Sequence, residues 1–420
     1  MGIVVQKFGG SSLDGPKKIK NVARRVIECS KAGNQVVTVV SALGDTTDKL
    51  IELGTQVAEC QSRREMDMLL STGEQVSIAL LAMAIKDMGY EVISLTGAQA
   101  GILTDKTHTK AKIIEINPER LSKELDEGKI VITAGFQGIT NDNEITTLGR
   151  GGSDITAVAI SAALRADVCE IFTDVEGVYT TDPRMIPEAR KLAVVTYDEM
   201  LELASLGAGV LQPRSVEFAK IHNVILHVRS SFNHRDGTIV REDRYMDNNC
   251  QMEKDVVVTG VAYDLNTARI GLFDVPDRPG VAHGIFTALS RENINVDMIV
   301  QGAMRNGRND ISFTAASEDI EKVLEIMKPL TETIGISKIT CDRDVSKVSI
   351  VGAGMITNPG VAAAMFEALA EEEINIHMIS TSEIKVSCII NKGETERAVA
   401  SIHKKFNLDK TDQYFLGRIK

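Results

Sequence analysis

Two stretches in the second half of the chain are near-copies of each other. Residues 279–299 (PGVAHGIFTALSRENINVDMI) and 359–379 (PGVAAAMFEALAEEEINIHMI) align at a constant offset of 80, with 12 of 21 positions identical. Each copy combines a Pro-Gly turn, an amphipathic helical pattern and a β-branched run, so each predicts a β-α-β unit. Because such a unit buries only one face, we expect the two units to pack side by side.

The residues before the repeat show a different pattern, in which short β-branched runs alternate with helical periodicity. Helices are predicted at 19–29, 74–88 and 155–164. Strands are predicted at 3–8, 36–42, 91–95, 129–136, 169–175 and 224–230. This alternation is typical of an α/β fold with a mostly parallel sheet sandwiched by helices.

A polar stretch without periodicity, YMDNNCQMEKD (245–255), predicts a linker between these two regions. The predicted division is therefore a first domain at 1–245, a linker at 246–255, and two further domains at 256–340 and 341–420.

Charge and composition exclude several classes of protein. With a net charge of −11, no Trp and 4% aromatic residues, a general nucleic-acid surface is not expected. The six cysteines include no CxxC pair, which argues against a zinc site or a disulfide framework. The longest nearly apolar stretch, 76–85, is shorter than a membrane span of ~20 residues, and no apolar signal segment follows Met1. We expect a cytoplasmic protein that does not enter a membrane.

The segment KFGGSSL (7–13) directly follows an apolar predicted strand. Gly9 and Gly10 let backbone N–H groups approach a ligand closely, and Lys7 adds a positive charge at the strand end. This combination favours an anion cradle, although it is not a Walker A loop, because the lysine precedes the glycines. A plain strand-to-helix turn with a surface lysine explains the segment about equally well.

The segment TTLGRGGSD (146–154) lies just before the helix predicted at 155–164. It supplies a planar guanidinium for a carboxylate, two backbone donors and a pair of helix-capping residues. These are, in order, Arg150, Gly151, Gly152, Ser153 and Asp154. A glycine turn with a helix cap is the simpler explanation. Their crowding beside the carboxyl end of a strand, where open α/β sheets bind ligands, favours a functional role.

The segment IFTDVEGVYTTDPR (171–184) ends a predicted strand with Thr173 and Asp174. Tyr179, Asp182 and Arg184 surround the turn that follows. Such a loop could hold a nucleotide, and an aspartate in it could meet a metal ion directly or through water. Taken alone, the segment is only a turn.

Two shorter motifs have equally balanced interpretations. STGE (71–74) places Glu74 at a predicted helix start, where the helix dipole favours a carboxylate as well as ammonium recognition would. VVSALGDTTD (39–48) ends a strand with Ser41 and Thr47, which could bond a small polar substrate or cap the next helix.

The ordered set of motifs, completed by GFQG (135–138) and followed by the doubled β-α-β unit, resembles the aspartokinase family, in particular its monofunctional bacterial type. Each motif is weak alone, but the ordered set is specific and covers essentially the whole chain. The resemblance implies an amino-acid-kinase fold followed by two α+β ACT regulatory domains of βαββαβ topology. It also implies that the strand near 257–263 packs with the second ACT domain.

The activity implied by the resemblance is MgATP-dependent phosphorylation of the side-chain carboxylate of L-aspartate, the first step of lysine (with diaminopimelate), threonine and methionine biosynthesis. A carboxylate is already ionised at neutral pH, so the protein must supply alignment and charge neutralisation rather than a general base. Mg²⁺ would be carried by the nucleotide, and no metal site of the protein's own is predicted.

The resemblance assigns roles residue by residue. The residues implied to be catalytic are Lys7, Arg150 and Asp154. Those implied to bind the substrate are Ser41, Thr47, Glu74, Phe136, Arg150, Gly151, Gly152 and Ser153. Those implied to bind the nucleotide are Lys7, Phe8, Gly9, Gly10, Thr173, Asp174, Tyr179, Asp182, Pro183 and Arg184.

One position departs from the family pattern. Many members have a lysine that contributes to nucleotide binding in the segment that reads GAGVLQPRS (207–215) here, where the corresponding residue is Gly209. Arg214 or a backbone amide is a candidate replacement.

In the ACT domains the resemblance points to amino-acid effectors, lysine and threonine. Asp297 and Glu383 could accept ammonium groups, while backbone donors near the Pro-Gly turns take carboxylates. The implied effector contacts are Asn295, Val296, Asp297, Gln301, Val361, Ala362, Asn375, Ile376, Ser382 and Glu383. Asn295 and Asn375 are equally explained as turn residues shared by descent. Two ACT domains favour a homodimer or larger assembly, and an internal start near Met246 or Met252 would yield a shorter regulatory subunit.

Two alternatives stay open at this point. One is a kinase of the same fold for another acid, such as glutamate or acetylglutamate, since fold does not fix substrate. Arg150 with Glu74 favours a free amino acid over an acylated one. The other is a catalytically impaired amino-acid-binding regulatory protein, for which Gly209 is the argument. Lys7, Arg150 and Asp154 argue against it.

Overall fold

The computed structural model describes residues 2–206, 210–242, 257–356 and 358–410. The chain forms two compact units. The first contains the described residues within 1–178, 191–205 and 209–250, and the second contains those within 179–190, 206–208 and 251–420. The linker predicted at 246–255 and the departure at Gly209 lie outside the described residues.

The first unit is built on an eight-stranded sheet and a smaller four-stranded sheet. Their strands are, in chain order, β1 (Ile3–Phe8), β2 (Gln35–Val40), β3 (Val92–Leu95), β4 (Ile102–Thr104), β5 (Ile113–Ile116), β6 (Ile130–Ala134), β7 (Gln137–Ile139), β8 (Ile145–Thr147), β9 (Val168–Thr173), β10 (Val194–Thr196), β11 (Leu226–Ser230) and β12 (Thr238–Arg241). The large sheet has the order β10-β12-β11-β9-β1-β2-β6-β3, and the small sheet the order β5-β4-β7-β8. In the large sheet, β11 pairs antiparallel with β12, while β1 pairs parallel with both β2 and β9.

Helices flank this sheet. They are α1 (Gly10–Leu13), α2 (Pro16–Lys31), α3 (Thr46–Val57), α4 (Arg63–Asp87), α5 (Glu119–Asp126), α6 (Gly152–Leu164), α7 (Tyr197–Ser205) and α8 (Pro213–His222). Val26 of α2 and Leu81 of α4 pack with Phe8 and Ile132 of the strands in one core, because both helices carry apolar stripes. The predicted α/β class is confirmed.

Two predicted helix starts are wrong. Helix α4 begins at Arg63, so Glu74 lies in its middle rather than at its start. The misleading signal is Gly73, which resembles a helix boundary. Gly73 instead allows close packing, because a Cβ at this position would lie 2.9 Å from Cβ of Ala42. Helix α6 begins at Gly152, before the predicted start.

Helix α4 is, within the described ranges, the helix that is long and apolar enough to cross a membrane by length and composition alone. However, 44% of its most apolar window is buried inside the protein. It also carries buried Asp67 and Glu74. These features are those of a core helix, and length and composition alone are weak evidence for a span.

The second unit holds both copies of the repeat in one six-stranded sheet. Its strands are β13 (Gly260–Pro276), β14 (Val296–Gln301), β15 (Arg308–Ala316), β16 (Lys338–Val351), β17 (Met378–Thr381) and β18 (Lys385–Asn391). Its helices are α9 (Val281–Arg291), α10 (Ile320–Ile334), α11 (Val361–Glu371) and α12 (Thr395–Lys405). The strand order is β14-β15-β13-β16-β18-β17, with every pairing antiparallel.

Strands β13 and β16 run through both halves of this sheet. Residues 260–264 of β13 pair with 347–351 of β16, beside β18, whereas the later part of β13 pairs with β15. The repeated Pro-Gly turns end in Gly280 and Gly360, which cap α9 and α11 with φ of 95° and 96°. Such positive φ angles favour glycine, which explains why both copies keep it.

Candidate active site

Several predicted site residues lie at one edge of the large sheet, because parallel strands present their carboxyl ends on the same side. Lys7 and Phe8 end β1, Ser41 follows β2, Phe136 follows β6 and Thr173 ends β9. The order β9-β1-β2-β6 makes these strands immediate neighbours. The fold therefore collects residues that are far apart in sequence.

Lys7 and Asp154 form the central ion pair of this edge. Nζ of Lys7 lies 2.6 Å from Oδ1 of Asp154, and their side chains are only 13% and 10% exposed. Asp154 lies in the first turn of α6, whose N-cap is Gly151 in the left-handed conformation. Because the N-cap residue is a glycine, and no described side chain caps the helix from this position, the prediction that Ser153 and Asp154 cap it is wrong. Asp154 instead orients the lysine.

The glycines after β1 allow a close approach between two loops. A Cβ on Gly10 would lie 2.8 Å from the carbonyl oxygens of Ala42 and Gly44, so no larger residue fits there. The amide of Gly44 donates to the carbonyl of Gly10 at 3.0 Å. A Cβ on Gly9 would lie 3.6 Å from Nζ of Lys7. The lysine therefore lies over a backbone free of side chains, as an anion cradle requires.

Glu74 is a buried carboxylate with one uncommitted oxygen. It is 2% exposed. Its Oε1 accepts the amide of Ala42 at 3.1 Å, and its Oε2 has no hydrogen-bond partner among the described residues. Burial raises the pKa of the Glu74 carboxyl to about 7. An unpaired buried carboxylate is costly, and a bound ammonium group would offset that cost.

Phe136 lies between β6 and β7 and contacts the first turns of α6, where Oγ1 of Thr156 accepts its amide at 3.1 Å. It has a positive φ of 68°, and its carbonyl accepts the amide of Leu148 at 2.9 Å. A Cβ on Gly152 would lie 2.8 Å from Cδ2 of Phe136, and one on Gly135 would lie 2.7 Å from Oγ of Ser153. Phe136, Gly152 and Ser153 therefore lie close together.

Arg150 is exposed, and no carboxylate of the described residues pairs with it in an ion pair. It lies between Gly149 and Gly151, with φ of 75° and 72°. Arg214 does not share this freedom, because it donates to the carbonyls of Leu148 and Ala111, both at 2.9 Å. The guanidinium of Arg150 is thus the one of the two that is available to a ligand.

The predicted nucleotide residues are divided between the two units. Thr173 lies at the end of β9, where its Oγ1 donates to Oδ1 of Asp174 at 3.0 Å. Both belong to the first unit, whereas Tyr179, Asp182, Pro183 and Arg184 belong to the second.

Segment 179–190 packs within the second unit. Ile186 joins an apolar core there with Val257 and Val258. Oδ2 of Asp182 accepts the hydroxyl of Tyr263 at 3.2 Å and Nη2 of Arg184 at 2.8 Å. The guanidinium of Arg184 lowers the pKa of Asp182. A tyrosine of the second unit thereby fixes an aspartate that orients a predicted nucleotide contact.

The predicted effector residues lie at or next to the edge strands β14 and β17, or at the start of helix α11. Asn295, Val296, Asp297 and Gln301 lie at or in β14, and Gln301 lines a cavity of about 390 Å³ at the first Pro-Gly turn. Val361 and Ala362 begin α11, Asn375 and Ile376 precede β17, and Ser382 and Glu383 form the turn after it. Edge strands β14 and β17 contact each other, with Met298 and Met378 in one cluster.

Sequence reasoning missed three polar residues that support these sites. Lys347, on β16, forms an ion pair with Asp297. Asp67 and Thr147 bond to each other in the first unit. A correct start for α4 would have exposed the signal at Asp67, because it lies seven residues before Glu74 and hence on the same helix face.

Known proteins match this chain over nearly its whole length. The Amino acid kinase family model matches residues 2–230, and ACT domain models match 270–334 and 348–406. The aspartokinase of Bacillus sp. (strain MGA3) is 51% identical over 408 residues, covering 97% of this chain and 98% of that protein. Aspartokinase 2 of Bacillus subtilis (strain 168) is 49% identical over 410 residues, covering 98% and 99%. The chain belongs to the aspartokinase family.

A solved structure agrees with this membership. Aspartokinase III of E. coli in complex with aspartate and ADP has a TM-score of 0.79 and 25% identity, covering 96% of this chain and 100% of that one. The aspartokinase fold predicted from the sequence, an amino-acid-kinase domain followed by two ACT domains, is confirmed.

Proposed function

We propose that this chain transfers the γ-phosphoryl group of ATP to the side-chain carboxylate of L-aspartate, giving 4-phospho-L-aspartate and ADP. Its membership of the aspartokinase family supports the reaction, and with it a place in amino-acid biosynthesis. The observation that carries the choice of substrate is Glu74, whose buried Oε2 has no hydrogen-bond partner within the described part of the chain. A free amino acid brings an ammonium group that such an oxygen can bind.

The substrate roles follow from charge and position. Arg150 binds a carboxylate of aspartate and Glu74 binds its ammonium group. The pocket is completed by Ser41, Thr47, Phe136, Gly151, Gly152 and Ser153. An acylated acid has no ammonium group and would leave the Glu74 carboxylate unpaired, which disfavours acetylglutamate.

Phosphoryl transfer needs charge neutralisation along the line from nucleotide to acceptor. Lys7 neutralises the transferring group together with the backbone amides of Gly9 and Gly10, and Asp154 holds the lysine in place. The acceptor carboxylate is ionised at neutral pH, so no base has to remove a proton from it. Catalysis then rests on alignment and electrostatic stabilisation.

ATP enters as its Mg²⁺ complex, with the metal carried by the nucleotide phosphates. The proposed nucleotide contacts are Lys7, Phe8, Gly9, Gly10, Thr173, Asp174, Tyr179, Asp182, Pro183 and Arg184. The carboxylates among them are able to meet the metal ion directly or through water.

The test is an ADP-release assay with aspartate, glutamate and N-acetylglutamate as acceptors, with hydroxylamine added to trap an acyl phosphate. We expect ADP release and hydroxamate with aspartate. ADP release with glutamate or acetylglutamate and none with aspartate would refute the assignment, and release with no acceptor at all would indicate plain ATP hydrolysis.

Regulation is proposed to act through the ACT domains, with lysine, together with threonine, as inhibitors. A structure of E. coli aspartokinase III in complex with lysine and aspartate, 25% identical with a TM-score of 0.74, supports lysine as an effector. Titrating each amino acid separately and in combination tests both.

The assembly is proposed to be a homodimer or larger, formed through the ACT domains in the cytoplasm. Ile299 and Ile379 occupy equivalent repeat positions on the edge strands β14 and β17, and they are 50% and 42% exposed. Exposed apolar side chains of this kind favour association. Light scattering tests the mass, and loss of a short product on replacing Met246 and Met252 tests for a regulatory subunit.

A further inference from the structure

Asp67 is a fully buried carboxylate that the proposed reaction does not use. It lies on α4 at 0% exposure. Its Oδ1 accepts the hydroxyl of Thr147 at 2.5 Å, and its Oδ2 lies 2.7 Å from Nδ1 of His108. The amide of Thr109 donates to both oxygens at 3.1 Å. These partners offset the cost of burying a carboxylate. They also connect helix α4 to the segment at 108–109 and to the end of β8.

The helix that carries Asp67 also carries Glu74. Seven residues are two turns of α-helix, about 10 Å along the axis, so the two carboxylates lie on one face. Between them, the carbonyl of Ser71 accepts Nε2 of Gln137 at 2.9 Å. Helix α4 is therefore a rigid spacer between Asp67 and the group proposed to bind the substrate ammonium.

The loop that Asp67 holds leads directly to Arg150. Thr147 is 1% exposed and ends β8. Both backbone polar groups of the next residue, Leu148, are hydrogen-bonded. Its amide donates to the carbonyl of Phe136, and its carbonyl accepts from Nη1 of Arg214, each at 2.9 Å. Only Gly149 then separates this fixed backbone from Arg150.

We infer that Asp67, acting through Thr147, is a positioning residue that fixes the Arg150 loop relative to Glu74 and so sets the spacing of the two groups that bind the amino-acid backbone of the substrate. The inference rests on the proposed function for the roles of Arg150 and Glu74. It assigns Asp67 no contact with the substrate. Its consequence is a selective effect on aspartate binding.

The neighbouring residue provides a matched control. Thr146, also on β8, is 0% exposed, and its hydroxyl lies 2.5 Å from that of Thr104 rather than from Asp67. Thr146→Val and Thr147→Val therefore remove the same group from the same strand at the same depth. The first variant loses the hydrogen bond to Thr104, and the second loses the hydrogen bond to Asp67.

The experiment measures steady-state kinetics for aspartate and for ATP in wild type, T147V, T146V and the rescue variant T147S. We expect T147V to raise the KM for aspartate on the order of tenfold, the scale of weakening one charge-assisted contact, with kcat and the ATP KM within about twofold. T146V should keep the wild-type KM for aspartate, and T147S should return towards it. Melting temperatures show whether the two valine variants lose similar stability.

Equal KM values for aspartate in T147V and T146V would overturn the inference, and so would a parallel rise in both substrate KM values. If T147V does not fold, the pair T147C and T146C replaces it, because a thiol keeps the volume but is a weaker donor. Wild-type KM values in both cysteine variants would then overturn it. Failure of the proposed function is separate, since it appears as absent aspartate turnover in the wild type.

Discussion

The ammonium group of Lys7 lies 2.6 Å from Oδ1 of Asp154, although the two residues come from the first strand and the sixth helix of the first unit. Such an ion pair in a mostly buried place fixes the direction of the lysine ammonium group. Lys7, proposed to neutralise the transferring phosphoryl group, would therefore need little reorganisation during the reaction, and preorganised charges of this kind give the largest electrostatic stabilisation.

Replacing Lys7 with Ala should lower kcat by about two or more orders of magnitude, because one transition-state charge partner is lost. Circular dichroism should show an unchanged fold. Lys18→Ala is the control. Lys18 is a partly exposed lysine whose ammonium group donates to the carbonyl of Ser11, in helix α1 just after Lys7. Turnover of Lys7→Ala equal to that of the control would remove Lys7 from the mechanism.

The acid limb of the pH profile should report Glu74. Burial places its pKa at about 7 in the ligand-free protein, and only the ionised form binds an ammonium group. We therefore expect kcat/KM for aspartate to fall about tenfold per pH unit below that value. The profile of kcat should be flatter, because a bound ammonium group lowers the pKa of Glu74 in the complex. A pH-independent kcat/KM between pH 5.5 and 7 would contradict this role.

The same shift predicts a cost in stability. The folded-state pKa lies above the ordinary value of 4.5, so the penalty for ionising Glu74 is absent below pH 4.5 and complete above about 7. Glu74→Gln removes the ionisable group and should raise the free energy of unfolding by up to about 3 kcal/mol at pH 8, and by almost nothing at pH 4.5. Urea unfolding at the two pH values measures it. A variant less stable than wild type at pH 8 would show that the carboxylate is satisfied.

Arg150→Ala should act mainly on aspartate. A charge-assisted contact of ~2–3 kcal/mol would be lost from the ground state as well as from the transition state, so the KM for aspartate should rise strongly. Arg214→Ala is an informative comparison, because Arg214 instead supports backbone carbonyls and should cost stability. An Arg150→Ala effect confined to the ATP KM would reassign Arg150 to the nucleotide.

The fold class could be predicted from local patterns, because the apolar periodicity of a strand or a helix depends only on residues close together in sequence. The start of α4 could not, because Gly73 signals a boundary until its contact with Ala42 is known. The predicted cap of α6 is wrong for a related reason. Aspartate is a good capping residue, but the carboxylate of Asp154 is engaged in the tertiary ion pair with Lys7.

The hydrogen bond of Asp67 and the ion pair of Asp297 could not be predicted from the sequence for a different reason. Thr147 and Asp67 bond across 80 residues, and Lys347 and Asp297 across 50. Their residue types are common and their spacing follows no motif, so only the sheet register and helix placement bring them together. Candidate residues such as Lys7 and Arg150 could be selected from the sequence because glycines mark their loops.

Inhibition by lysine is proposed to depend on Asp297. Asp297, proposed to accept an effector ammonium group, is already paired with the ammonium of Lys347, whose side chain is 5% exposed while that of Asp297 is 41% exposed. Lys347 also lies 4.0 Å from Oδ2 of Asp264. A lysine effector must therefore compete with a lysine of the protein itself. Met378, Val345 and Ile389 lie in an apolar cluster on the strands around it, so Lys347→Met should be accommodated.

We expect Lys347→Met to lower the lysine concentration for half-inhibition on the order of three- to tenfold, because Asp297 is freed for the effector at the scale of a partly exposed ion pair. Asp297→Ala and Ser382→Phe should relieve inhibition, with little loss of uninhibited activity because neither residue lies in the first unit. Lysine and threonine titrations on the wild type and the three variants measure this. Unchanged sensitivity of Lys347→Met beside relief in Asp297→Ala would show that Lys347 does not compete. Full inhibition of Asp297→Ala and Ser382→Phe would place the effector elsewhere, since a carboxylate that bound the ammonium group could not be removed without weakening inhibition.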